Sequence, residues 1–169
     1  MKICIAQTKS EKGNIQGNIE NHLEFVERAI NLKADLIVFP ELSITNYEPD
    51  LAKELATEIE SNIFNPFQET SNKNDITIGI GMPTKATDGI NISMLIFQPN
   101  KERAIYSKQM LHSDELPYFV CGKNQIFINI KGIKIAIGIC YETLQREHFL
   151  NTKNQDIDVY IASVAKPKG

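Results

Sequence analysis

Apolar residues alternate with small or polar residues over positions 133–139, which read IKIAIGI. Isoleucine occupies every second position of this run, and Gly138 is among the small residues between them. A period of two with small residues on the second face predicts a strand that is buried on both sides. Cys140 comes next, and a segment with helical spacing begins after 141–143. The sequence therefore predicts a thiol at the carboxyl end of a buried strand, directly before a helix.

Similar apolar runs predict strands along the rest of the chain, separated by residues that favour turns. Residues 131–132, Lys-Gly, would form the turn of a hairpin between the last strand before them and 133–139. The further predicted strands are 2–7, 34–39, 76–82, 92–97, 103–106, 125–130 and 158–164.

Three segments have the spacing of three and four residues that is typical of an amphipathic helix, and Pro66 predicts a further short helix. Asn18 is predicted to cap the first helix, and Pro66 to open the third. The inward residues are predicted to be Ile19, Leu23, Val26 and Ile30 in the first helix; Leu51, Leu55 and Ile59 in one that starts at Asp50; Phe67 in the third; and Leu144, His148 and Phe149 or Leu150 after Cys140. This alternation, without an internal repeat or linker, predicts a single layered α/β domain over 1–169.

Composition narrows the possible functions. The chain has 169 residues, 42% apolar content and a formal net charge of −3, which suit one globular domain. Without a basic run, neither nucleic acid nor a membrane surface is expected as a partner. Met1 and Lys2 lead directly into a strand-like run and no apolar segment is long enough to span a bilayer, so we expect no signal peptide and a cytoplasmic protein.

Three widely spaced cysteines, Cys4, Cys121 and Cys140, include no CxxC pair and predict neither a disulfide framework nor a zinc site. No metal or other cofactor is expected. We interpret Cys4 as a core residue and Cys121 as one that lines a loop near the site. The position of Cys140 before a helix predicts a lowered pKa and an available thiolate. The alternative is a packed core cysteine, since free cysteine is often buried.

Two other residues lie where α/β enzymes place reactive groups. Glu41 directly follows an apolar strand that ends in Pro40, and Lys108 directly follows the strand 103–106 and Ser107. Loops at strand ends commonly carry catalytic side chains. A solvated glutamate in a turn and an ordinary surface lysine are the alternatives for these two positions.

Taken together, these motifs resemble those of the nitrilase superfamily, the carbon–nitrogen hydrolases. The matching segments are FPE at 39–41, YSKQML at 106–111 and GICYE at 138–142, and the run DLIVFPE at 35–41 strengthens the first. Each motif is weak alone, but their order and their positions at predicted strand ends are specific. The resemblance covers essentially all 169 residues.

The resemblance implies a fold and four catalytic positions. The fold would be α/β, a four-layer αββα sandwich whose C-terminal part is missing from this chain, because members of the superfamily are usually longer. Glu41 would be the general base, Lys108 would stabilise the oxyanion with the backbone N–H of Tyr141, and Cys140 would be the nucleophile. Glu115 would be the second glutamate found in many members, which orients the lysine or the leaving amine.

The same resemblance implies hydrolysis of a small-molecule amide through a thioester, with release of ammonia or an amine. A strong nucleophile, an oxyanion donor and a proton donor for the amine are what this reaction needs. Loops that include Tyr47, His112 and Phe119 would contact the substrate, and a homodimer or larger homo-oligomer is expected. Nitrile hydrolysis is an alternative reaction of the same site, although Tyr141-Glu142 after the cysteine is more typical of amidase branches.

Two further hypotheses stay open at this point. One is a Cys–His hydrolase in which His112 or His148 activates Cys140. The other is a relative that has lost catalysis and binds a ligand or a partner protein through the same fold.

Overall fold

The computed structural model describes residues 1–153 and 155–165. Five strands form one sheet in chain order, with the first three parallel and the remaining pairs antiparallel. These strands are β1 (Ile3–Ile5), β2 (Leu36–Val38), β3 (Thr77–Ala86), β4 (Gly89–Phe97) and β5 (Ala104–Ser107).

A second sheet of three strands lies against the first, in the order β6 (Phe127–Ile130), β7 (Ile133–Ile139) and β8 (Val159–Ser163). The predicted hairpin is confirmed, because β6 and β7 pair antiparallel with Ile130 opposite Ile133. β7 is also parallel to β8, so the central strand is paired on both sides. β7 therefore lies in the interior of its sheet, as its alternating pattern predicted.

The described residues form four α-helices, which are α1 (Ile15–Asn31), α2 (Ala52–Leu55), α3 (Asn65–Asn74) and α4 (Arg146–Lys153). Two apolar clusters define the layers. Leu36 and Met94 of the first sheet meet Ile137 and Ile161 of the second in the inner cluster. The outer cluster joins α1 and α3 to the other face of the first sheet, and α4 contacts the second sheet through a hydrogen bond between its histidine and a tyrosine of β8. The order of layers is thus αββα, as the resemblance implied.

The start of the first helix was predicted wrongly. α1 begins at Ile15, and its N-cap is Asn14, whose side-chain oxygen accepts a hydrogen bond from Gly17 N–H at 3.1 Å. Asn18 lies on the buried face instead, and its amide donates to the carbonyl oxygens of Glu11 and Ile44. In the local sequence, an asparagine that donates to loop carbonyls cannot be distinguished from one that caps a helix. The predicted start of the helix was therefore one turn too late.

The helix predicted from Asp50 is much shorter than expected. A 3₁₀ turn at Pro49–Leu51 leads into α2, and the chain is extended again at Ala56. Thr57 then forms an isolated bridge with Thr84, so Ile59 lies outside any helix. Pro66 and buried Phe67, by contrast, occupy α3 as predicted.

The face assigned to the helix after Cys140 was also wrong, except at His148, which is fully buried. A 3₁₀ segment, Cys140–Leu144, comes first, and extended Gln145 separates it from α4. That break resets the helical phase, so a single period drawn from Cys140 cannot continue through it. Leu144, Phe149 and Leu150 are 81%, 55% and 43% exposed.

Within the part of the chain that the structure describes, none of the helices combines the length and apolarity needed to cross a bilayer. All three cysteines lie within the described residues and are free. Cys4 is half-buried beside the outer cluster, whereas Cys121 is exposed.

Candidate active site

Three strands carry the predicted reactive residues to one region of the sandwich. Glu41 comes three residues after the end of β2, Lys108 directly after β5, and Cys140 directly after β7. β2 and β5 belong to the first sheet and β7 to the second, so the packing of the two sheets determines how closely these side chains approach. No local sequence pattern reports that packing.

The ammonium group of Lys108 lies between two carboxylates. Its Nζ donates to Glu41 Oε1 at 2.8 Å and to Glu115 Oε1 at 2.6 Å. The relative exposures of Lys108, Glu41 and Glu115 are 0%, 3% and 2%. The structure therefore replaces the surface-lysine and solvated-glutamate interpretations with a buried cluster, in which two carboxylates share one cation. An ammonium has three N–H donors, so one of them is left for a further acceptor.

Burial has opposite consequences for the acid and the base of this cluster. It raises the pKa of Glu41 above its usual value, and the charge and hydrogen bond of Lys108 only partly oppose that rise. For Lys108, burial acts to lower the pKa, but the charges and hydrogen bonds of Glu41 and Glu115 outweigh it, and the pKa is raised. Lys108 is thus held protonated, while Glu41 becomes a stronger proton acceptor than a solvated glutamate.

Cys140 is half-buried within the influence of this cluster. Burial, and next the negative charge of Glu41, raise its pKa to about 11, and the charge of Lys108 only partly opposes them. The lowered pKa predicted from the helix dipole is therefore wrong. Cys140 begins a five-residue 3₁₀ segment rather than an α-helix, and so short a segment has little dipole to offset burial. The free site holds a thiol beside a carboxylate, so attack requires a base to take the proton.

Backbone conformations around these residues are unusual. Cys140 has a φ of +47° and Leu42, directly after Glu41, a φ of +51°. Both are non-glycine residues in the left-handed region, which is sparsely populated and often associated with functional sites. The left-handed turn ends β7 sharply and begins the 3₁₀ segment at the thiol itself.

Two glycines let backbone segments approach the loops that carry Glu41 and Lys108 closely. A Cβ on Gly81 of β3 would lie 2.3 Å from Pro40 O and 2.4 Å from Leu42 N, on either side of Glu41. A Cβ on Gly122 would lie 2.1 Å from Ser107 O, and Gly122 N–H donates to Lys108 O at 2.7 Å. These contacts fix the main chain at Glu41 and at Lys108.

The residues predicted to contact substrate differ in their surroundings. The Tyr47 hydroxyl donates to Glu115 Oε1 at 3.1 Å, and burial together with the Glu115 charge raises its pKa. His112 is exposed and pairs with Asp114, while its backbone N–H donates to Glu115 Oε2 at 2.7 Å. Phe119 is 4% exposed and packs in the inner cluster between the sheets. Tyr47 therefore lies at the site, whereas Phe119 is a core residue.

A cavity of about 610 Å³ opens beside Glu41. Polar side chains make up much of its wall, including Ser43 and Tyr47. The remaining lining residues in the described part are Gln7, Thr8, Lys9, Ser10, Pro40, Leu42, Asn46, Val164 and Ala165. Within the same part of the chain, no group of three or more His, Cys, Asp or Glu side chains is arranged to hold a metal ion.

His148, the proposed base of a Cys–His pair, is occupied elsewhere. Its Nε2 is 2.8 Å from the Tyr106 hydroxyl and its Nδ1 is 2.9 Å from the Tyr160 hydroxyl. With both ring nitrogens engaged by tyrosines, it is not free to accept a proton from Cys140. His112 packs its ring edge-on against Tyr141, with centroids 5.0 Å apart. Its imidazole pairs with exposed Asp114, which gives no support for the Cys–His hypothesis.

Glu142 and Tyr106 belong to the sequence motifs, but the motifs predicted no role for either. Glu142 is fully buried and accepts a hydrogen bond from the Tyr106 hydroxyl at 2.6 Å. The available signal for Glu142 was a charged residue two positions after a cysteine that ends a strand. A charged side chain is rarely buried without partners, so this position indicates a need for hydrogen-bond donors around it.

A family model and several known proteins match this chain. The family model described as carbon-nitrogen hydrolase matches residues 2–169. A glutamine-dependent NAD(+) synthetase from Aquifex aeolicus is 27% identical over 147 residues, which are 83% of this chain and 25% of that protein. The omega-amidase YafV from Yersinia enterocolitica is 23% identical, over 96% of this chain and 63% of its own length. The chain thus spans about a quarter of the NAD(+) synthetase it matches and less than two thirds of the amidase.

Solved structures share the fold. The NitN amidase from Nesterenkonia sp. AN1 superposes with a TM-score of 0.87 at 18% identity, over 99% of this chain and 68% of that one. The glutamine-dependent NAD+ synthetase from Acinetobacter baumannii gives a TM-score of 0.85 at 23% identity, over 99% and 32%. In one structure of the Nesterenkonia amidase, acrylamide has added to the active-site cysteine.

Proposed function

The chain belongs to the carbon–nitrogen hydrolase family, and from that premise we propose that it hydrolyses the terminal amide of a small molecule through a thioester on Cys140. The observation that carries the proposal is the buried Lys108 ammonium, within 2.8 Å of Glu41 and 2.6 Å of Glu115. A cation, a base and a thiol in one buried region supply the three groups that amide cleavage needs.

In the first half of the reaction, Glu41 takes the thiol proton as Cys140 Sγ attacks the amide carbon. The raised pKa of Cys140, about 11, makes this proton transfer necessary near neutral pH. The carbonyl oxygen becomes an oxyanion, which accepts the remaining N–H of Lys108 and the backbone N–H of Tyr141. The C–N bond then breaks, and the proton held by Glu41 passes to the departing nitrogen, so that ammonia leaves.

In the second half, Glu41 removes a proton from water while the water oxygen attacks the thioester carbon. The same donors stabilise the second tetrahedral oxyanion. Collapse breaks the C–S bond, and the proton returns to Cys140 Sγ as the carboxylic acid leaves. Glu115 keeps Lys108 in place throughout, because its Oε2 is itself held by His112 N–H.

For the substrate, we infer a short molecule with a terminal primary amide and polar groups along its length. Two relatives support this class, one described as glutamine-dependent and the other as an omega-amidase. The cavity beside Glu41 has Ser43 and Tyr47 in its wall, and these side chains offer hydrogen-bond partners to such polar groups. Glutamine and short dicarboxylic acid monoamides fit this description.

The test is ammonia release from glutamine, ω-amides, simple amides, N-carbamoyl compounds and nitriles. Cys140→Ala provides the blank, and Cys121→Ala, which changes an exposed thiol, is the matched control. We expect release from terminal amides by the wild type and by Cys121→Ala, and none by Cys140→Ala. Equal release by the wild type and Cys140→Ala over the whole panel would contradict the proposal and favour a binding protein. Faster release from nitriles than from amides would instead favour the nitrilase alternative.

A further inference from the structure

A second buried carboxylate lies between the segments that carry Lys108 and Cys140. Glu142 has no exposed surface. Its Oε1 accepts the N–H of Ile139 at 2.7 Å and the hydroxyl of Tyr106 at 2.6 Å. Its Oε2 accepts the N–H of Gln109 at 2.7 Å and that of Met110 at 3.4 Å. A buried carboxylate in this setting is satisfied by several donors at once.

The two oxygens face different parts of the site. Oε1 binds the residue directly before Cys140, and Oε2 binds the residue directly after Lys108. Those segments come from different sheets. One rigid carboxylate thus spans the junction between the strand end that carries the nucleophile and the strand end that carries the cation.

We propose that Glu142 is a positioning residue, which holds the Cys140 turn in register with Lys108 by accepting main-chain N–H groups from both segments. The inference rests on the proposed function, because the register matters only if these two residues react together. The four hydrogen bonds of the Glu142 carboxylate go to main-chain N–H groups and to Tyr106, and not to the thiol or the ammonium. Glu142 therefore acts through the main chain on either side.

The side-chain chemistry explains why a carboxylate is needed rather than the isosteric amide. A carboxylate accepts hydrogen bonds at both oxygens, but glutamine has one acceptor oxygen and one NH₂ donor group. At Oε2 both partners are N–H donors. In Glu142→Gln the amide oxygen would therefore face Gln109, and the NH₂ would face Ile139 N–H. The variant should loosen the Cys140 turn while it keeps the Lys108 segment in place.

Alkylation by iodoacetamide tests this without depending on amide turnover. Rates at Cys140, Cys4 and Cys121 are measured by peptide mass spectrometry as a function of pH. In Glu142→Gln we expect alkylation of Cys140 at about pH 7 to slow about tenfold, because its thiol is no longer held for proton transfer to Glu41. The rates at Cys4 and Cys121 should not change. Glu147→Gln removes an exposed carboxylate nearby and should leave all three rates unchanged.

Two further measurements separate positioning from general destabilisation. In Glu142→Gln, kcat for ammonia release should fall about tenfold with KM nearly constant, because the substrate cavity does not include Glu142. Tyr106→Phe deletes one donor to Oε1 without changing the ring, so it should slow Cys140 alkylation about threefold. If Glu142→Gln fails to fold, the Cys140 alkylation rate in Tyr106→Phe alone tests the positioning role.

Each outcome has a separate meaning. A folded Glu142→Gln, or failing that a folded Tyr106→Phe, whose Cys140 alkylation rate and pH profile equal those of the wild type would overturn the positioning role. In that case the wild type would still release ammonia and Cys140→Ala would not. Equal ammonia release by the wild type and Cys140→Ala would overturn the proposed function, and the positioning role with it.

Discussion

Two buried polar clusters lie at neighbouring strand ends, and they differ in how their carboxylates are neutralised. In the reactive cluster, Glu41 and Glu115 share the single ammonium of Lys108. In the structural cluster, Glu142 is surrounded by main-chain N–H groups and by the hydroxyl of Tyr106. The first therefore carries an excess negative charge away from water, whereas the second distributes one charge over several fixed donors.

That difference separates reactivity from rigidity. Burial raises the pKa of Glu41 and Lys108 only partly opposes the rise, so this carboxylate takes up a proton more readily than a solvated one. A carboxylate with every lone pair engaged fixes the segments that donate to it. Under the proposed function the adjacent clusters have complementary roles: one would transfer protons, and the other would maintain the geometry in which that transfer occurs.

The contrast between the clusters predicts that Lys108→Met lowers stability and activity more than any other single substitution. Two buried carboxylates would lose their shared cation, so the free energy of unfolding should fall by about 3–5 kcal/mol. Loss of the oxyanion donor should lower kcat by about 1,000-fold in addition. Chemical denaturation and the ammonia assay measure these two effects.

The matched control for Lys108→Met is Lys12→Met, which breaks a surface pair with Glu48 in which Lys12 is 65% exposed. That change should leave the free energy of unfolding nearly unchanged and the activity intact. Adding Glu41→Gln and Glu115→Gln to Lys108→Met should recover most of the stability and none of the activity. Equal losses for Lys108→Met and Lys12→Met would mean that the cluster is open to water.

How much of this could be predicted from sequence depends on the range of the interaction. The alternation in 133–139 correctly predicted a central buried strand, and the FPE, YSK and GIC motifs indicated the strand ends that converge. Both signals are local: a period of two and a residue at the end of a run. The hairpin at Lys131-Gly132 was predictable for the same reason.

The features that could not be predicted depend on contacts between segments that are distant in sequence. The pKa of Cys140 is determined by burial and by Glu41, which comes from another sheet. The burial of Glu142 and the close approach at Gly122 depend on the same packing. Helical phase after Cys140 failed because a 3₁₀ turn interrupted it, and such interruptions leave no periodic signal.

The second prediction concerns Glu41→Gln, which should lower kcat about 1,000-fold and yet stabilise the protein. The folded pKa of Glu41 lies above its ordinary value of 4.5, so the folded state binds more protons than the unfolded state above that pH. Stability from this group is therefore lost as pH rises above about 4.5. The variant removes that loss and leaves Lys108 paired with Glu115 alone.

Thermal unfolding of wild type and Glu41→Gln between about pH 4 and pH 8 tests the sign. The advantage of the variant should be small at the acid end and should grow as pH rises. Glu147→Gln, at an exposed position, should show no such trend. A stability advantage that is constant or shrinks with pH would mean that Glu41 is adequately neutralised by Lys108, and the contrast between the two clusters would disappear.

A third prediction compares a glycine beside each cluster. Gly122→Ala places a Cβ 2.1 Å from Ser107 O, which is backbone, so the chain at Lys108 must move. For Gly122→Ala we expect the free energy of unfolding to fall by about 2 kcal/mol and kcat to fall about 100-fold. Gly138→Ala meets Tyr160 Oη at 2.0 Å instead, the far end of a rotatable side chain. Gly138→Ala should lower the free energy of unfolding by about 1 kcal/mol and lower kcat less than about tenfold.

Denaturation midpoints and steady-state rates of the two glycine variants, measured side by side, give the comparison. A larger loss of activity in Gly138→Ala than in Gly122→Ala would show that the cluster assigned to structure controls catalysis more strongly than the main chain at Lys108.

The smallest effect is expected for Tyr160→Phe, at the outer edge of the structural cluster. The Tyr160 hydroxyl bonds His148 Nδ1 at 2.9 Å, whereas Glu142 accepts its hydrogen bonds from Tyr106 and the main chain and lies 3.6 Å from His148 Nε2. The variant should therefore cost about 1 kcal/mol, the value of one hydrogen bond, and change kcat less than about twofold. Tyr106→Phe, which acts on Glu142 directly, is the matched control and should lower kcat more. If Tyr160→Phe lowered kcat as much as Tyr106→Phe, the tyrosines and His148 would act as one unit with Glu142, and the boundary of the structural cluster would have to include all four.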